Sequence, residues 1–191
     1  ERIAWIYDRI ASYASKPLCM YTSANWAQYI KPDFVGELSA HKNICGVKYS
    51  SSNTVDQLKV LATQNPEFQV ITAVANQFFA ALAMGSNAGT TSMAGALPEP
   101  LNEIYMAFRE GDLTKARNLQ VNFQKFTAQM PKKVKSDNFL GAAEEKFILK
   151  RRGICEEFTS DYYRMLTRDE KDVVNRALVE SGFERFVQGG N

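Results

Sequence analysis

Short apolar runs that alternate with helical patterns are the feature that most limits the folds open to this chain. The apolar runs start near residues 17, 44, 68 and 88. About 20 to 27 residues separate one start from the next, which leaves room for one helix in each interval. Strands that alternate with helices in this way form right-handed βαβ units around a parallel sheet. The sequence therefore predicts an α/β fold with four parallel strands between residues 17 and 92.

Helical signals fill the intervals between these runs and then continue to the end of the chain. They cover residues 2–14, 32–41, 53–64, 77–84, 99–110, 113–130, 138–152 and 168–181. Thr167 and Glu170 fit a capping box at the start of the last helix. The basic run PKKVK at residues 131–135 is predicted to be a solvated loop, because lysines are usually exposed.

Composition excludes several classes of protein and partner. Hydrophobic residues make up 45% of the 191 residues, which is typical of a globular chain. A net charge of +2 is too small to predict binding to nucleic acid or an anionic membrane, and no apolar run is long enough to cross a bilayer. Three cysteines without metal-site spacing favour reduced thiols in a cytoplasm-like compartment and no metal site. Cys19 and Cys45 are predicted to be small buried residues within strands.

The second apolar run contains the residue with the clearest chemical potential. The run is ICGVKYSS at residues 44–51, and Lys48 lies near its end. Burying an ammonium group is costly, so a buried lysine favours the neutral amine, which can attack a ketone and form a Schiff base. The alternative is a lysine whose ammonium group reaches solvent from the strand end. These residues alone leave both interpretations open.

Three stretches resemble a known family. NICGVKYSS at residues 43–51 looks like the Schiff-base strand of the dihydrodipicolinate synthase and N-acetylneuraminate lyase family, where the pattern is roughly N-I-x-G-[IV]-K. LCMY at residues 18–21 is similar to the family's preceding strand, which ends in a tyrosine. The segment from Gly111 to Gln120 resembles the family's G-D-x3-A-x2-L-Q pattern after the eighth strand.

The resemblance implies a (β/α)8 TIM barrel, of which this chain would form strands 5–8 with their helices. Residues 1–111 would be the second half of the barrel, and residues 112–191 a C-terminal helical region. The first four β/α units of the family have no counterpart in this sequence, and such a barrel normally needs about 250 residues. We therefore expect the chain to be a piece of something longer that needs the missing N-terminal half.

The resemblance also implies roles for individual residues. Lys48 would form the Schiff base, and Tyr21 would transfer protons to and from the bound substrate. Ser92 matches a position that can contact substrate in the lyases, although a small residue packed inside the barrel is an equal alternative. Asn76 is the remaining polar candidate after the third strand, where Ala73, Val74 and Ala75 replace the family's G-x-D.

Two departures from the family pattern lie just after Tyr21, and both are candidate substrate-binding positions. Thr22 stands where the family commonly has asparagine. Trp26 stands where dihydrodipicolinate synthases have a carboxylate-binding arginine. A tryptophan cannot make the bidentate pair of an arginine, but it can stack on an aromatic or extended apolar substrate. These changes argue against dihydrodipicolinate synthesis, and the methyl-rich residues 73–75 argue against sialic acid.

The function implied by the resemblance is a class I, Schiff-base lyase or aldolase acting on pyruvate or a related 2-keto acid and an aldehyde. It would need no metal or organic cofactor, and the family commonly assembles as tetramers. A non-enzymatic alternative remains open. The chain could be an inactive fragment, or a binding homologue without activity, since it lacks the strands that supply the carboxylate-binding hydroxyl pair in this family.

Overall fold

The computed structural model describes residues 2–23, 29–63 and 65–188. Its strands are β1 (Leu18–Ser23), β2 (Ile44–Ser50), β3 (Gln69–Thr72) and β4 (Ala88–Gly89). Its helices are α1 (Arg2–Tyr13), α2 (Pro32–Ser39), α3 (Thr54–Leu61), α4 (Phe78–Ala83), α5 (Met93–Ala96), α6 (Glu99–Arg109), α7 (Leu113–Ala128), α8 (Pro131–Lys135), α9 (Ala143–Arg151) and α10 (Arg168–Glu180). Short 3-10 helices cover Ala75–Gln77, Asn138–Leu140 and Phe183–Phe186. The predicted order, four strands that alternate with helices and then a helical region, is confirmed.

Two local predictions are corrected. The basic run at residues 131–135 is not a loop but the helix α8, because Pro131 is well suited to the first helical position. The Lys135 ammonium in this helix pairs with Glu170 at 2.6 Å, so it is not simply solvated. The fourth strand ends at Gly89 and not at Ser92, whose backbone is already helical ahead of α5.

The chain divides into two compact units, Glu1–Thr90 and Thr91–Asn191. The first contains the sheet and α1–α4, and the second contains α5–α10. The boundary between the half barrel and the C-terminal helical region, placed after residue 111 from the family resemblance, stays a prediction. It concerns which residues belong to the barrel and not which residues form a compact unit. No helix of the described residues is long and apolar enough to cross a membrane.

The sheet of the first unit is parallel, with the strand order β1-β2-β3-β4. Leu18 pairs with Ile44 and Cys19 with Gly46, which leaves Cys45 as an extra residue in β2. Such a bulge interrupts the alternation of side chains between the two faces of the sheet. Downstream of the bulge the register is regular, and Tyr21 pairs with Lys48.

The two faces of the sheet have different surroundings. One face packs on α1, α2 and α3 and is the core of the unit; its buried strand residues are Met20, Ile44, Val47, Tyr49 and Val70. The other face presents exposed or half-buried side chains, which include Cys19, Tyr21, Cys45, Lys48 and Gln69. The prediction that Cys19 and Cys45 are buried is therefore wrong, because both thiols are exposed on the side away from the helices.

The second unit is helical and its helix starts follow local capping signals. Asp112 accepts a hydrogen bond from the Lys115 backbone at 2.9 Å and caps α7. Thr167 and Glu170 form the predicted capping box at the start of α10. The apolar core of this unit includes Ile104, Phe123, Phe126, Leu178 and Phe183.

Candidate active site

Tyr21 and Lys48, the two residues predicted to be catalytic, lie side by side. They are directly paired on adjacent parallel strands, and both project from the face of the sheet away from the helices. The Lys48 Nζ atom is 4.5 Å from the centre of the Tyr21 ring. A lysine ammonium over the face of a tyrosine ring is attracted by the ring's negative face. Tyr21 is 38% exposed and Lys48 is half-buried, so the pair can be reached from solvent.

Among the described residues, no acidic side chain forms an ion pair with Lys48. None of the ion pairs among residues 2–23, 29–63 and 65–188 includes Lys48. Its neighbour on β3 in the sheet register is Ile71, an apolar residue. In the part of the chain that the structure describes, Lys48 thus lies between the aromatic ring of Tyr21 and the aliphatic side chain of Ile71.

Loops at the carboxyl ends of β2 and β3 are joined by hydrogen bonds close to this pair. Ala73 N donates to Tyr49 O at 3.0 Å, and the Gln77 side-chain amide donates to Ser52 O at 2.9 Å. The exposed Asn76 lies in the 3-10 helix Ala75–Gln77 of the second loop. The fold therefore places Asn76 at the same edge of the sheet as Lys48, where parallel α/β sheets bind ligands.

Thr22 does not join this group. Its side chain lies on the helix-facing side of β1, one residue out of phase with Tyr21, and it is 0% exposed. Its Oγ1 atom accepts a hydrogen bond from Ile30 N at 2.9 Å. The hydroxyl therefore holds the returning end of the β1–α2 connection, on the face of the sheet opposite Lys48, and contact of Thr22 with a substrate stays a prediction. Trp26 falls outside the described residues.

Ser92 lies in the second unit. It is exposed and immediately precedes α5, without a side-chain cap on that helix. The strand pairing that fixes Tyr21 and Lys48 ends at Gly89 and does not include Ser92. Its contact with substrate remains a prediction from the sequence.

A hydroxyl network behind the Lys48 strand was not predicted from the sequence. The Tyr29 hydroxyl donates to Asp56 Oδ2 at 2.5 Å, and the Tyr49 hydroxyl, 2.7 Å away, is then left to donate to Tyr29. Burial, together with the hydrogen bond to Tyr29, raises the pKa of Tyr49 well above its ordinary value, so its proton is retained. Tyr49 follows Lys48 directly, so strand alternation alone would have turned it toward the helices, but no local pattern links residues 29, 49 and 56.

The described part of the chain shows no group of three or more His, Cys, Asp or Glu side chains that could hold a metal ion. The chemical groups that the sheet does bring together are one amine, one phenol and an amide-bearing loop. Such a set suits nucleophilic attack on a carbonyl with proton transfer from a hydroxyl.

The model of the dihydrodipicolinate synthetase family matches residues 1–158. A 4-hydroxy-tetrahydrodipicolinate synthase of Methanospirillum hungatei is 33% identical over 98 residues, which are 50% of this chain and 33% of the relative. An uncharacterized DapA-like lyase of Pyrococcus furiosus is 30% identical over 122 residues, 62% of this chain and 41% of the relative. The matched stretch is less than half the length of each of these relatives.

Solved structures of longer chains share the fold of this chain. YagE, a prophage protein of the dihydrodipicolinic acid synthase family from E. coli K12 in complex with pyruvate, has a TM-score of 0.83 and 18% identity over 95% of this chain and 61% of its own. KD(P)GA of T. tenax has a TM-score of 0.77 and 22% identity over 96% of this chain and 62% of its own. At these identities the likeness shows the fold alone. The chain folds as part of a (β/α)8 barrel.

Proposed function

The chain belongs to the dihydrodipicolinate synthetase family, and on that premise we propose that it supplies the Schiff-base lysine of a lyase or aldolase for pyruvate or a related 2-keto acid. The observation that carries the proposal is the pairing of Lys48 with Tyr21, with the amine 4.5 Å from the ring centre. Lys48 is the lysine that matches the family's strand motif. The solved relative YagE was crystallised with pyruvate.

In the proposed reaction, the neutral Lys48 amine attacks the keto carbon. The carbonyl oxygen takes up a proton to give a carbinolamine, and loss of water leaves an imine between Nζ and that carbon. The imine withdraws electrons, so the adjacent carbon can lose a proton and become an enamine. Bond formation to an aldehyde or cleavage of a carbon–carbon bond then occurs at this carbon, and water finally releases the product from Lys48.

Tyr21 has two roles in this proposal. Its ring positions the Lys48 nitrogen near the carboxyl ends of the strands. Its hydroxyl donates and accepts the protons that carbinolamine formation and bond cleavage require. Tyr21→Phe separates these roles because phenylalanine keeps the ring and lacks the hydroxyl. We expect this variant to keep a folded site and to lose about 10²- to 10⁴-fold in kcat, the usual contribution of general acid–base catalysis.

Trapping with pyruvate and borohydride tests the proposal directly. The experiment uses the full-length parent, the longer protein of which we expect this chain to be a piece. We expect peptide mass mapping to find the reduced adduct on Lys48. The adduct should be lost in Lys48→Arg, which keeps the positive charge. Lys59→Arg on α3 is the matched control, because Lys59 is an exposed lysine of the same unit. An adduct on another lysine, or none at all, would refute the Schiff-base assignment.

The substrate is proposed to be less polar than aspartate semialdehyde or sialic acid. Trp26 replaces the carboxylate-binding arginine, and Ala73 to Ala75 offer mostly methyl groups. An aryl or aliphatic aldehyde or keto acid fits these changes better. A coupled assay of the parent with pyruvate and aspartate semialdehyde should therefore give poor turnover; efficient condensation would contradict the substrate class but not the Schiff base.

An alternative is that residues 1–191 alone are inactive, because a barrel needs eight strands to close and the described sheet has four. Open edges expose unpaired backbone groups and promote association. We expect the isolated chain to self-associate and to trap little pyruvate, and to recover both compactness and trapping when the missing N-terminal half is supplied; the tetramer of the family would form only then. Light scattering and pyruvate trapping test this together. A monodisperse monomer that traps pyruvate as well as its parent would show that the chain needs no other half.

A further inference from the structure

A small cavity lies on the helix-facing side of the sheet, directly behind the strand that carries Lys48. The space that the centre of a water molecule can occupy in it is about 10 Å³, which is enough for a single water. Its lining residues come from β2, α3, β3, α4 and the turn after α4; they are Tyr49, Gln57, Leu61, Val70, Thr72, Ala81 and Ser86. The cavity belongs wholly to the first unit and is separate from the Lys48–Tyr21 pair, which lies on the other face of the sheet.

Two buried polar atoms in the lining have no hydrogen-bond partner among the described residues. They are Gln57 Oε1 and Thr72 Oγ1, and their residues are only 3% and 4% exposed. Buried polar groups are almost always paired, because a buried group without a partner loses the hydrogen bonds that water gave it. Two such atoms beside one cavity therefore call for a common partner.

The orientation of the Gln57 amide is fixed by its other contacts. Its Nε2 atom donates to Ser51 O at 2.5 Å and to Gln77 Oε1 at 3.3 Å. Turning the amide over would place Oε1 against the Ser51 carbonyl, which is also an acceptor. The Gln77 amide is fixed in the same way, because its own Nε2 donates to Ser52 O at 2.9 Å. The unpaired Gln57 atom at the cavity is therefore the amide oxygen, an acceptor that needs a donor.

The other polar groups of the lining define what the partner must be. Thr72 Oγ1 has a hydroxyl hydrogen to give. The Ser86 hydroxyl is used as a donor to Ala88 O at 2.9 Å, so its oxygen can accept. Tyr49 donates toward Tyr29 and likewise keeps a lone pair. A molecule that donates twice and accepts once satisfies this set, and buried water typically makes about three hydrogen bonds.

We propose that this cavity is a binding site for one ordered water, which donates to Gln57 Oε1 and accepts from Thr72 Oγ1. Its second hydrogen goes to Ser86 Oγ or Tyr49 Oη. None of the described residues that line the cavity has a carboxylate, which favours a neutral ligand over a cation. The water joins α3 to β3, on the side of the sheet opposite the lysine. A second hydrogen given to Ser86 also joins the turn after α4, whereas one given to Tyr49 extends the network Asp56–Tyr29–Tyr49.

The direct test is a high-resolution crystal structure of the chain together with any N-terminal segment that its gene encodes. We expect one density peak at about 2.7–3.2 Å from both Gln57 Oε1 and Thr72 Oγ1. An empty cavity would overturn the proposal, as would a direct hydrogen bond between the two side chains. A peak with anomalous signal after a rubidium soak would identify a cation instead of water and would also overturn it.

Two matched variants test the site in solution. Thr72→Val keeps the shape of the side chain and removes the hydroxyl, whereas Thr72→Ser keeps the hydroxyl and removes a methyl. Nuclear Overhauser contacts between a long-lived water and the neighbouring amides should persist in Thr72→Ser and be lost in Thr72→Val. Contacts that persist equally in both variants would show that Thr72 does not hold the water. The crystallographic result on the unsubstituted chain decides the proposal even if a variant fails to fold.

Discussion

Among the described residues of the first unit the buried polar side chains are hydroxyls and amides, whereas in the second unit they include two glutamates. The first set consists of hydroxyls and amides such as Thr22, Gln57 and Thr72. The second includes Glu144, which accepts from the backbone amide of Lys132, and Glu170, which pairs with Arg164. In the described part of the first unit the only ion pair is the contact of His41 with Asp8 at 3.5 Å.

The difference matters for the proposed chemistry. The sheet that carries Lys48 is held by backbone ladders, apolar packing and hydrogen bonds that are mostly neutral and respond weakly to pH and salt; the carboxylate of Asp56, which accepts from Tyr29, is the exception. The helical unit contains buried carboxylates, whose stability depends on their partners and on their protonation. We therefore expect disturbances of charge to act on the helical unit and to leave the strand geometry around Lys48 largely intact.

The largest expected effect is the loss of Arg164, which would sharpen the comparison. Arg164 donates to Glu170 at 2.7 and 2.8 Å and to Asp137 at 2.7 Å. Glu170 is only 2% exposed, and the guanidinium holds the pKa of that carboxyl far below its usual range. In Arg164→Leu the Glu170 carboxylate keeps only Lys135 and the backbone amide of Thr167 as partners. We therefore expect the free energy of unfolding to fall by about 2–3 kcal/mol, somewhat less than when a fully buried ion pair is broken.

Urea unfolding of Arg164→Leu measures this loss, and Arg185→Leu serves as the control. Arg185 also pairs with a carboxylate, Glu103, but both side chains are solvent-accessible. If the two substitutions cost the same, burial of Glu170 is not what distinguishes the helical unit.

The second prediction concerns the pH dependence of the helical unit. Burial raises the pKa of Glu144 to about 7, against the lowering effect of the hydrogen bond from Lys132 N and with a further rise from Glu145. Between about pH 4 and 7 the folded chain keeps a proton that the unfolded chain releases. The stability supplied by this group is thus complete below about pH 4 and is lost as the pH rises through 7.

Glu144→Gln removes this titration while its Oε1 atom can still accept from Lys132 N. Between pH 5 and 8 we expect the variant to lose about 2 kcal/mol less unfolding free energy than the unsubstituted chain. Urea unfolding at a series of pH values gives the difference. Parallel pH curves for the two proteins would contradict a raised pKa at Glu144.

The third prediction would break the comparison if it failed. Tyr49→Phe removes the hydroxyl next to Tyr29, a neutral hydrogen bond in the first unit. We expect a loss of about 1 kcal/mol, the usual net value for one hydrogen bond. The loss should be constant from pH 5 to 9, because the raised pKa of Tyr49 adds stability that disappears only when tyrosines of the unfolded chain ionise above about pH 10. Thermal unfolding at pH 5 and 9 checks this constancy.

The smallest expected effect is on the exposed pair of Arg185 and Glu103, 2.8 Å apart. Arg185→Gln should change the unfolding free energy by less than about 0.5 kcal/mol, and the change should vanish in high salt because water and ions screen exposed charges. Unfolding in 0.05 and 1 M sodium chloride measures it. A larger effect that survives salt would show that this pair is less exposed in solution than in the structure.

Local sequence signals predicted the elements of this fold well. Asn53 accepts from the backbone of Val55 and Asp56 at the start of α3, and the Thr167–Glu170 box starts α10 as expected. Such signals work because a cap is decided by residues two or three positions apart. The pairing of Tyr21 with Lys48 could also be anticipated, because parallel strands that belong to consecutive βαβ units bring their carboxyl ends together.

Long-range side-chain pairs could not be anticipated. Tyr29 and Asp56 are 27 residues apart, as are Asp137 and Arg164, and no periodic pattern connects the members of either pair. The exposure of Cys19 and Cys45 was missed for a different reason. An apolar run predicts a strand but not which of its residues face the helices, and the extra residue in β2 breaks the count.

Because Cys45 is the extra residue, the Lys48 strand can lose one residue at that position without a change of register. Regular alternation through Cys45 would place Lys48 on the same face as Ile44, four residues earlier, yet the two lie on opposite faces because Cys45 is left out of the pairing. A deletion of Cys45 would give an ordinary strand with Ile44, Val47 and Lys48 facing as they do now. A deletion of Val47 would turn the lysine inward. Deletion of one residue therefore keeps the position of the Lys48 amine when that residue is Cys45 but not when it is Val47.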